Sequence, residues 1–389
     1  MSGTISVYDT VAQGRTVLIE EKRPQLLQDR YFGTREPEDL FDAKAVLLDL
    51  DNGDFESGAF VKKGYVDGNT TTFFANSVIP PRIGVEDTID TSDKDRVIFE
   101  QLCRPQGGLV PSHADALDAL LRIKASRCVA RASRSIERLC SLVLQTNAIQ
   151  FTMDTSPTDS TQVTIDVEYF DSTGGAPNPQ LLMPGTGVDG TGTATKNWDG
   201  TGSAAGSASP YDDVCDMITK LVEHGGRAED LLMSEKSWRY LHADMLAKNL
   251  INDQIHYTVI ANGNINGLFS EQIKDAKCVG QAMFNGHVLN LIVYNGACKV
   301  GGVWTPYLPD NFVCVLAPEC GHTMCGCASL PNPMAMIQDG IVDVKQIVGK
   351  YLVSKYYDFK DLEVKVRCES NPLPAPLHSW GWITLGTNT

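Results

Sequence analysis

The sequence has no hydrophobic run long enough to cross a membrane and too few basic residues to balance its acids. No stretch approaches the roughly 18 consecutive apolar residues that a membrane-spanning helix needs, and the N-terminus lacks the basic and apolar regions of a secretory signal. The 389 residues carry 33 Lys and Arg against 48 Asp and Glu, a net charge of −15. We therefore expect a soluble protein made in a cytoplasm, without membrane contact, that meets nucleic acid only through a local basic patch.

The common catalytic and cofactor motifs are also missing. The sequence contains no Gly-Lys-Ser/Thr of a phosphate-binding loop, no His-Glu-x-x-His and no Gly-x-Ser-x-Gly. Residues 185–190 fit Gly-x-Gly-x-x-Gly, but they lie in a low-complexity stretch and do not join a strand to a helix, as dinucleotide binding requires. We predict that the protein is not an enzyme and that it binds no cofactor.

The strongest regular pattern is a long amphipathic helix over about residues 113–147. Apolar residues recur there at spacings of three and four, from Leu117 to Val143, and indicate one buried face. A second face carries a basic stripe of four residues at the same spacings: Arg127, Arg131, Arg134 and Arg138. Two interpretations of the stripe remain open, a solvated helix face and a surface that meets an acidic partner or polyanion.

The rest of the chain alternates strand-like, loop-like and mixed segments. Residues 59–66 and 70–79 predict a long β-hairpin around Asp67-Gly68-Asn69, and residues 172–208 are rich in Gly, Thr and Ser. Beyond residue 209 a compact α/β block follows, with Ser234 as the predicted N-cap of a second helix. An isolated hairpin is barely stable, so we expect the predicted one to lie on another surface.

Eleven cysteines are many for a chain without a secretory signal, and four potential metal ligands fall close together: Cys320, His322, Cys325 and Cys327. Zinc binds Cys and His, but paired cysteines are usually about two to four residues apart, and one residue separates Cys325 from Cys327. The alternatives are a zinc or thiol enzyme that uses this cluster and a Gly-rich strand and turn with half-buried thiols. The spacing favours the strand and turn.

The C-terminal third carries a family resemblance. Residues 307–315 contain Leu308-Pro309-Asp310-Asn311 and are followed by Gly326 between two cysteines, which resembles the Leu-Pro-Asp-Asn segment of lambda-type phage major capsid proteins. Residues 349–358 and 369–374 resemble the terminal region of the same family. The order of elements agrees with that family over essentially the whole chain.

This resemblance implies an α+β protein with the Hong Kong 97-type capsid fold. It divides the chain into six segments: an N-terminal arm at 1–50, an extended β-hairpin loop at 51–82, a peripheral domain at 83–171 with a spine helix at 112–147, an insertion loop at 172–208, an axial domain at 209–334, and a return to the peripheral domain with a C-terminal tail at 335–389.

The resemblance also implies which residues meet other molecules. The hairpin would contact a neighbouring subunit through seven side chains: Phe60, Lys62, Lys63, Tyr65, Asp67, Phe73 and Phe74. The arginine stripe would face packaged DNA or scaffold. We hypothesise that some cysteines cross-link subunits, with reduced core thiols as the alternative; the candidates are Cys103, Cys320, Cys325, Cys327 and Cys368.

The implied function is structural. Hexamers and pentamers of the chain would close into an icosahedral virion shell around double-stranded DNA of a tailed phage, assembled in the host cytoplasm. The expected partners are other copies of the chain, a separate scaffold protein, a portal, a decoration or cement protein, and DNA without sequence specificity. The alternatives are an encapsulin-like compartment shell and the zinc or thiol enzyme already described.

Overall fold

The structure is a computed structural model that contains both helices and strands. It describes the following ranges: 4–8, 16–20, 25–35, 38–41, 46–50, 74–78, 80–89, 99, 103, 113–156, 159–169, 181–182, 197–199, 209–250, 275–300, 302–326, 328–331, 344–347, 349–358, 363–378 and 380–386.

Within these ranges the helical elements are three α-helices and one π-helical turn: the π-helix Leu27–Tyr31, α1 (His113–Thr146), α2 (Pro210–Glu223) and α3 (Glu235–Ala247). Helix α1 has 34 residues, which corresponds to about 50 Å at 1.5 Å per residue. The described part of the chain has no helix that combines the length and the apolarity needed to cross a bilayer.

The strands of the first half are β1 (Thr4–Tyr8), β2 (Thr16–Glu20), β3 (Phe32–Gly33), β4 (Leu40–Phe41), β5 (Val46–Leu50), β6 (Phe74–Val78), β7 (Ile83–Ile89), β8 (Ala148–Ser156), β9 (Asp159–Glu168) and β10 (Leu181–Leu182). Those of the second half are β11 (Asp230–Met233), β12 (Ala276–Phe284), β13 (His287–Tyr294), β14 (Ala297–Val300), β15 (Val303–Pro306), β16 (Phe312–Leu316), β17 (Gly321–Gly326), β18 (Ala328–Pro331), β19 (Val344–Ile347), β20 (Leu352–Asp358), β21 (Glu363–Ser370), β22 (Pro372–Pro376) and β23 (Trp382–Gly386).

A six-stranded sheet in the order β10-β23-β16-β11-β13-β12 is buried on both faces at its centre. All four residues of β11 are buried, and they divide between two cores because successive strand residues point to opposite faces. Leu231 and Met233 join the core that contains the apolar side chains of α2 and α3, while Leu232 joins the core that contains α1. The sheet is therefore a middle layer between helices.

The core on the α1 side extends to a second, five-stranded sheet in the order β2-β1-β20-β21-β7. Helix α1 contributes a continuous buried face, which includes Cys128, Ala132, Ile136 and Val143, and it packs on β7 and β21. A smaller sheet of β22, β17 and β3, with β4 also paired to β17, adjoins the same core. The long helix thus connects the two larger sheets.

Two predicted elements are confirmed. The long helix predicted at 113–147 is His113–Thr146, and the predicted N-cap Ser234 caps α3 by accepting the Ser237 N–H at 3.2 Å. Of the predicted hairpin, the described part is β6, which pairs with β5 in antiparallel register from Val46↔Val78 to Leu50↔Phe74. Residues 51–73 lie outside the described ranges.

Two segments differ from the sequence-based expectation. Residues 26–32, expected to lie in an extended arm, enter the main core, because four of them are large side chains with almost no exposure: Leu26, Leu27, Tyr31 and Phe32. The insertion predicted at 172–208 has two anchors in the fold. Strand β10 adds to the six-stranded sheet beside β23, and Trp198 is buried in the α2–α3 core.

Ser234 provides a test of the capping geometry. Its hydroxyl accepts the Ser237 N–H and donates to the Asp310 carbonyl at 2.5 Å. We expect Ser234→Ala to lower the free energy of unfolding by about 1–2 kcal/mol, because the α3 cap and its tie to the loop before β16 are lost. Urea unfolding measures the change. Ser135→Ala, which removes a hydroxyl on the exposed side of α1, should change stability by less than about 0.5 kcal/mol, and an equal effect of the two variants would contradict the assignment.

Candidate functional site

Two buried carboxylates hold the N-terminal segment 25–31 against the rest of the chain. The first is Glu137 of α1, which has no solvent exposure. One carboxylate oxygen accepts the Leu27 N–H and the Tyr294 hydroxyl, both at 2.8 Å, and the other accepts the Gln28 N–H at 3.0 Å. The first N–H groups of a helix have no partner within it, so Glu137 supplies the acceptors that the π-helix lacks.

The second carboxylate is Asp230, fully buried at the start of β11. The Arg30 guanidinium donates to both of its oxygens, at 2.7 and 3.0 Å, and the Tyr31 hydroxyl donates at 3.0 Å. The Asn290 side-chain amide of β13 donates a further hydrogen bond at 2.7 Å. A two-point contact of this kind fixes orientation as well as distance.

The two carboxylates come from different parts of the subunit. Glu137 lies near the middle of α1, whereas Asp230 belongs to the six-stranded sheet, and both bind the same short segment. Tyr294 of β13 also reaches Glu137, so the sheet and α1 contact each other directly at this point. We call this arrangement of Glu137, Asp230 and residues 25–31 the carboxylate clamp.

Burial governs the electrostatics of the clamp. It raises the pKa of Glu137 to about 7, while the backbone N–H of Leu27 and the Tyr294 hydroxyl favour the charged form and limit the rise. Burial, together with the negative charge of Glu137, raises the pKa of Tyr294, which therefore stays a neutral donor. The clamp is thus sensitive to pH through Glu137.

The Leu308-Pro309-Asp310-Asn311 motif forms the turn between β15 and β16. Leu308 is buried, and the Pro309 carbonyl accepts the Phe312 N–H at 3.1 Å. The Asp310 carbonyl accepts the hydroxyls of Ser234 and Ser237 at the start of α3. The motif therefore positions α3 on the sheet.

The residue before this motif ties the same turn to α1. The Tyr307 carbonyl accepts the Ser141 hydroxyl and, at 2.9 Å, the Gln145 side-chain amide. The turn is consequently in contact with helices on both sides of the sheet.

Gly326 occupies a tightly packed position at the end of β17. A Cβ built on it would lie 3.1 Å from the Phe41 ring. This close approach accounts for the glycine at the end of β17.

The structure does not bring the candidate metal ligands Cys320, His322 and Cys325 together. His322 and Cys325 lie an odd number of residues apart on β17 and so face opposite sides of the strand. The His322 ring contacts the Asp39 carboxylate at 2.6 Å, and Cys320 and Cys325 are buried. Cys327 lies outside the described residues, and in the described ranges no three His, Cys, Asp or Glu side chains form a metal-binding group.

Three of the candidate cross-linking cysteines are buried, and the hypothesis of inter-subunit disulfides stays a prediction. Cys320, Cys325 and Cys368 are at most 6% exposed and belong to the subunit interior, so they cannot reach a neighbouring subunit without local opening. Cys103 is partly exposed and lies 3.6 Å from the His113 imidazole. Of the described candidates, Cys103 is thus the one with access to solvent.

The arginine stripe lies on the outer face of α1. Arg127, Arg131 and Arg138 are exposed and Arg134 is half-buried. Their spacing places all four within about 60° of one another around the helix. Among the described residues, none of the four forms an ion pair with an acidic side chain.

The hairpin contact residues cannot be placed. Phe60, Lys62, Lys63, Tyr65, Asp67 and Phe73 lie outside the described ranges, and Phe74 is described only as the first residue of β6. These contacts remain predictions.

Sequence reasoning missed the clamp residues Arg30, Glu137 and Asp230. Glu137 had a signal, because it is an acid next to Ile136 on the otherwise apolar face of α1. Arg30 and Asp230 are 200 residues apart and had no local signal, since only the fold brings them together.

Comparison with known proteins identifies the family. A family profile described as phage major capsid protein E matches residues 187–384, just over half of the chain. The chain belongs to the phage major capsid protein E family. This major capsid protein is a structural subunit of a viral shell. None of the curated proteins matches it.

The capsid protein is similar to solved structures, and one of them has a TM-score above 0.5. A prophage capsid protein from Escherichia coli CFT073 aligns over 94% of this chain and 93% of its own, with 14% identity and a TM-score of 0.56. The capsid of Ralstonia phage GP4 aligns over 96% of this chain and 93% of its own, with 13% identity and a TM-score of 0.43. The expected α+β, Hong Kong 97-type capsid fold is confirmed.

Replacement of Glu137 tests the clamp. In Glu137→Gln an amide NH₂ takes the place of one acceptor oxygen and faces N–H and O–H donors that then lack a partner. We expect this capsid protein variant to lose about 3 kcal/mol of unfolding free energy at pH 8, where the Glu137 carboxylate is mostly charged, measured by urea denaturation at low protein concentration. The control Glu223→Gln, which removes an exposed carboxylate of α2, should change stability by less than about 0.5 kcal/mol.

The pH profile of the same variants gives a second measurement. The pKa of Glu137 is about 7 in the folded chain and 4.5 ordinarily, so between these values the folded state holds more protons than the unfolded state. The unfolding free energy therefore contains a component that falls by up to about 3 kcal/mol as pH rises through this window. Glu137→Gln should lack this component and Glu223→Gln should keep it. Identical profiles for Glu137→Gln and the native chain would contradict the role of Glu137.

Proposed function

We propose that this capsid protein assembles as hexamers and pentamers into a closed icosahedral shell around the double-stranded DNA of a tailed phage. The observation that carries the proposal is the exposed apolar surface on two hairpins of the subunit. Met283, Val288, Val303 and Trp304 are each more than half exposed. Soluble monomers rarely leave such groups of large apolar side chains in water, whereas assembly interfaces bury them.

The domain assignment proposed from the family resemblance agrees with part of the described elements. Residues 209–334 would form the axial domain, and α1 with the five-stranded sheet would belong to the peripheral domain. The proposed return of residues 335–389 is supported by the pairing of β20 and β21 with β1 and β7. The last strand of that range, β23, instead pairs with β16 in the sheet of the proposed axial domain. The carboxylate clamp would then hold the two domains in a fixed relation.

The arginine stripe is proposed to face the shell interior and to contact packaged DNA or a scaffold protein. Three of its four guanidinium groups are exposed, and the stripe lies on a chain with a net charge of −15. A local cationic surface on an acidic protein attracts phosphates at short range while the remainder of the surface repels them. Contacts of this kind carry no sequence information.

Further partners are proposed from the role as a shell subunit. A separate scaffold protein would guide assembly in the host cytoplasm, a portal would occupy one vertex, and a decoration or cement protein would bind outside. The segment between β10 and Trp198 would be one candidate surface for that last partner, because both of its ends are fixed in the fold. We propose no catalytic role.

The direct test of the proposed function is assembly. We expect the purified chain, expressed with and without a candidate scaffold protein, to form ring-shaped capsomers or closed shells in negative-stain electron microscopy. Glu137→Gln should give fewer closed particles than Glu223→Gln, because the clamp fixes the shape of the subunit. A monodisperse monomer under all these conditions would overturn the proposal.

The arginine stripe is tested by salt-dependent DNA binding. If the four arginines contact phosphates, the binding constant for a short duplex should fall as the salt concentration rises. In a plot of the logarithm of the binding constant against the logarithm of salt concentration, these four contacts should contribute a slope of about −3.6. Replacement of all four by Gln should remove that slope, as measured by fluorescence anisotropy of unassembled subunits.

The control for the stripe removes the same charge elsewhere. Arg227, Lys236, Arg239 and Lys277 are exposed cations outside α1, and replacement of these four by Gln should leave most of the slope. Equal slopes for the stripe variant and the native chain would show that the stripe does not bind DNA, and the scaffold would remain its proposed partner.

A further inference from the structure

The most exposed large apolar side chains of the described residues form two pairs on two hairpins. In the β12–β13 hairpin, Met283 is 63% and Val288 is 55% exposed, and the two residues are direct cross-strand partners. In the β14–β15 hairpin, Val303 is 68% and Trp304 is 66% exposed, and as successive strand residues they lie on opposite faces near the hairpin turn. We call the first pair the Met283 patch and the second, which is centred on Trp304, the Trp304 patch.

The two patches lie at opposite ends of β13. Val288 is next to the turn that joins β12 to β13, whereas the β14–β15 hairpin follows Tyr294 at the other end of the strand. Six residues of strand separate Val288 from Tyr294, which corresponds to about 20 Å. The base of the second hairpin is held there by the Tyr307 N–H, which donates to the Gly296 carbonyl at 2.8 Å. The patches therefore do not cover each other within one subunit.

The polar surroundings of the patches differ in charge. Lys299 lies opposite Trp304 in the hairpin, with its ammonium 5.2 Å from the centre of the indole ring. Near the other patch, the Tyr211 hydroxyl of α2 donates to the Met283 carbonyl at 3.2 Å. The exposed residues of α2 that follow Tyr211 include Asp212 and Asp216, and Asp212 is paired with the Lys248 ammonium at 3.0 Å. One patch thus has a cation beside it, and the other has Asp216 and an Asp212–Lys248 ion pair nearby.

We propose that the Trp304 patch of one subunit packs on the Met283 patch of a second copy of this chain. This inference rests on the proposed shell function and specifies one of its contacts. The patches are different surfaces, so a contact between them is head-to-tail, and repetition of a head-to-tail contact closes a ring when the rotation per subunit permits. Trp304 is the anchor, because a large aromatic side chain contributes strongly to an interface when a partner covers it.

Photo-cross-linking in assembled particles tests the contact. The photoreactive residue p-benzoyl-phenylalanine is placed at position 304, where it keeps an aromatic ring, and the labelled chain is co-assembled with an excess of ¹⁵N-labelled native chain. After irradiation, peptide mass spectrometry should find the main cross-link within residues 281–290 of a ¹⁵N-labelled subunit. The reciprocal probe at position 288 should cross-link to residues 299–306 of a labelled subunit.

Matched variants sharpen the measurement. Met283→Ser in the native chain should lower the cross-link yield from position 304 at least fivefold, whereas Leu250→Ser, which alters another exposed apolar residue, should leave it unchanged. A probe at Lys236, an exposed residue of α3, should give no cross-link to residues 281–290. Trp304→Ser should raise the protein concentration needed for assembly at least tenfold.

The outcomes separate this inference from the proposed function. Particles whose cross-links map elsewhere, or within one subunit, would overturn the contact and leave the shell function intact. Absence of particles from the native chain under all conditions would overturn the shell function itself. Normal assembly of Trp304→Ser would also count against the contact.

Discussion

The carboxylate clamp is the constraint on which the remainder of the subunit depends. Glu137 and Asp230 are both fully buried, and each receives several hydrogen bonds from one short N-terminal segment or from β13. A buried charge without partners is strongly unfavourable, so neither carboxylate is tolerable unless that segment is in place. The two cores thus form around an element that is itself held by polar contacts.

The six-stranded sheet transmits this constraint to the rest of the structure. Alternate residues of β11 and β16 enter different cores. A one-residue change of register would therefore move the side chains of each core to the opposite face of the sheet. Asp230 fixes the register at one end of β11. The Leu308–Asn311 turn is hydrogen-bonded to α3 on one side of the sheet and, through Tyr307, to α1 on the opposite side. Shape and register are therefore fixed by the same few polar side chains.

Elements with a local signal could be predicted from the sequence, and those fixed by distant contacts could not. The 3.6-residue period of α1 and the cap at Ser234 are both encoded locally, and both are present. Strand β7 was not predicted, because it is defined by pairing with β21 almost 300 residues later. The arginine stripe could be predicted because four arginines recur at the helical spacings of three and four residues. The Arg30–Asp230 contact could not be predicted because only the tertiary fold brings the two residues together.

The buried cysteines have a consequence for chemical durability. Burial raises the pKa of Cys128 to about 11 and that of Cys314 to about 12, and it raises the pKa of Cys140 and Cys320 as well. At pH 7, a thiol with a pKa of about 11 is ionised in roughly one molecule in ten thousand. Oxidation and disulfide exchange proceed through the thiolate. These side chains therefore react slowly when the surroundings of the protein become oxidising.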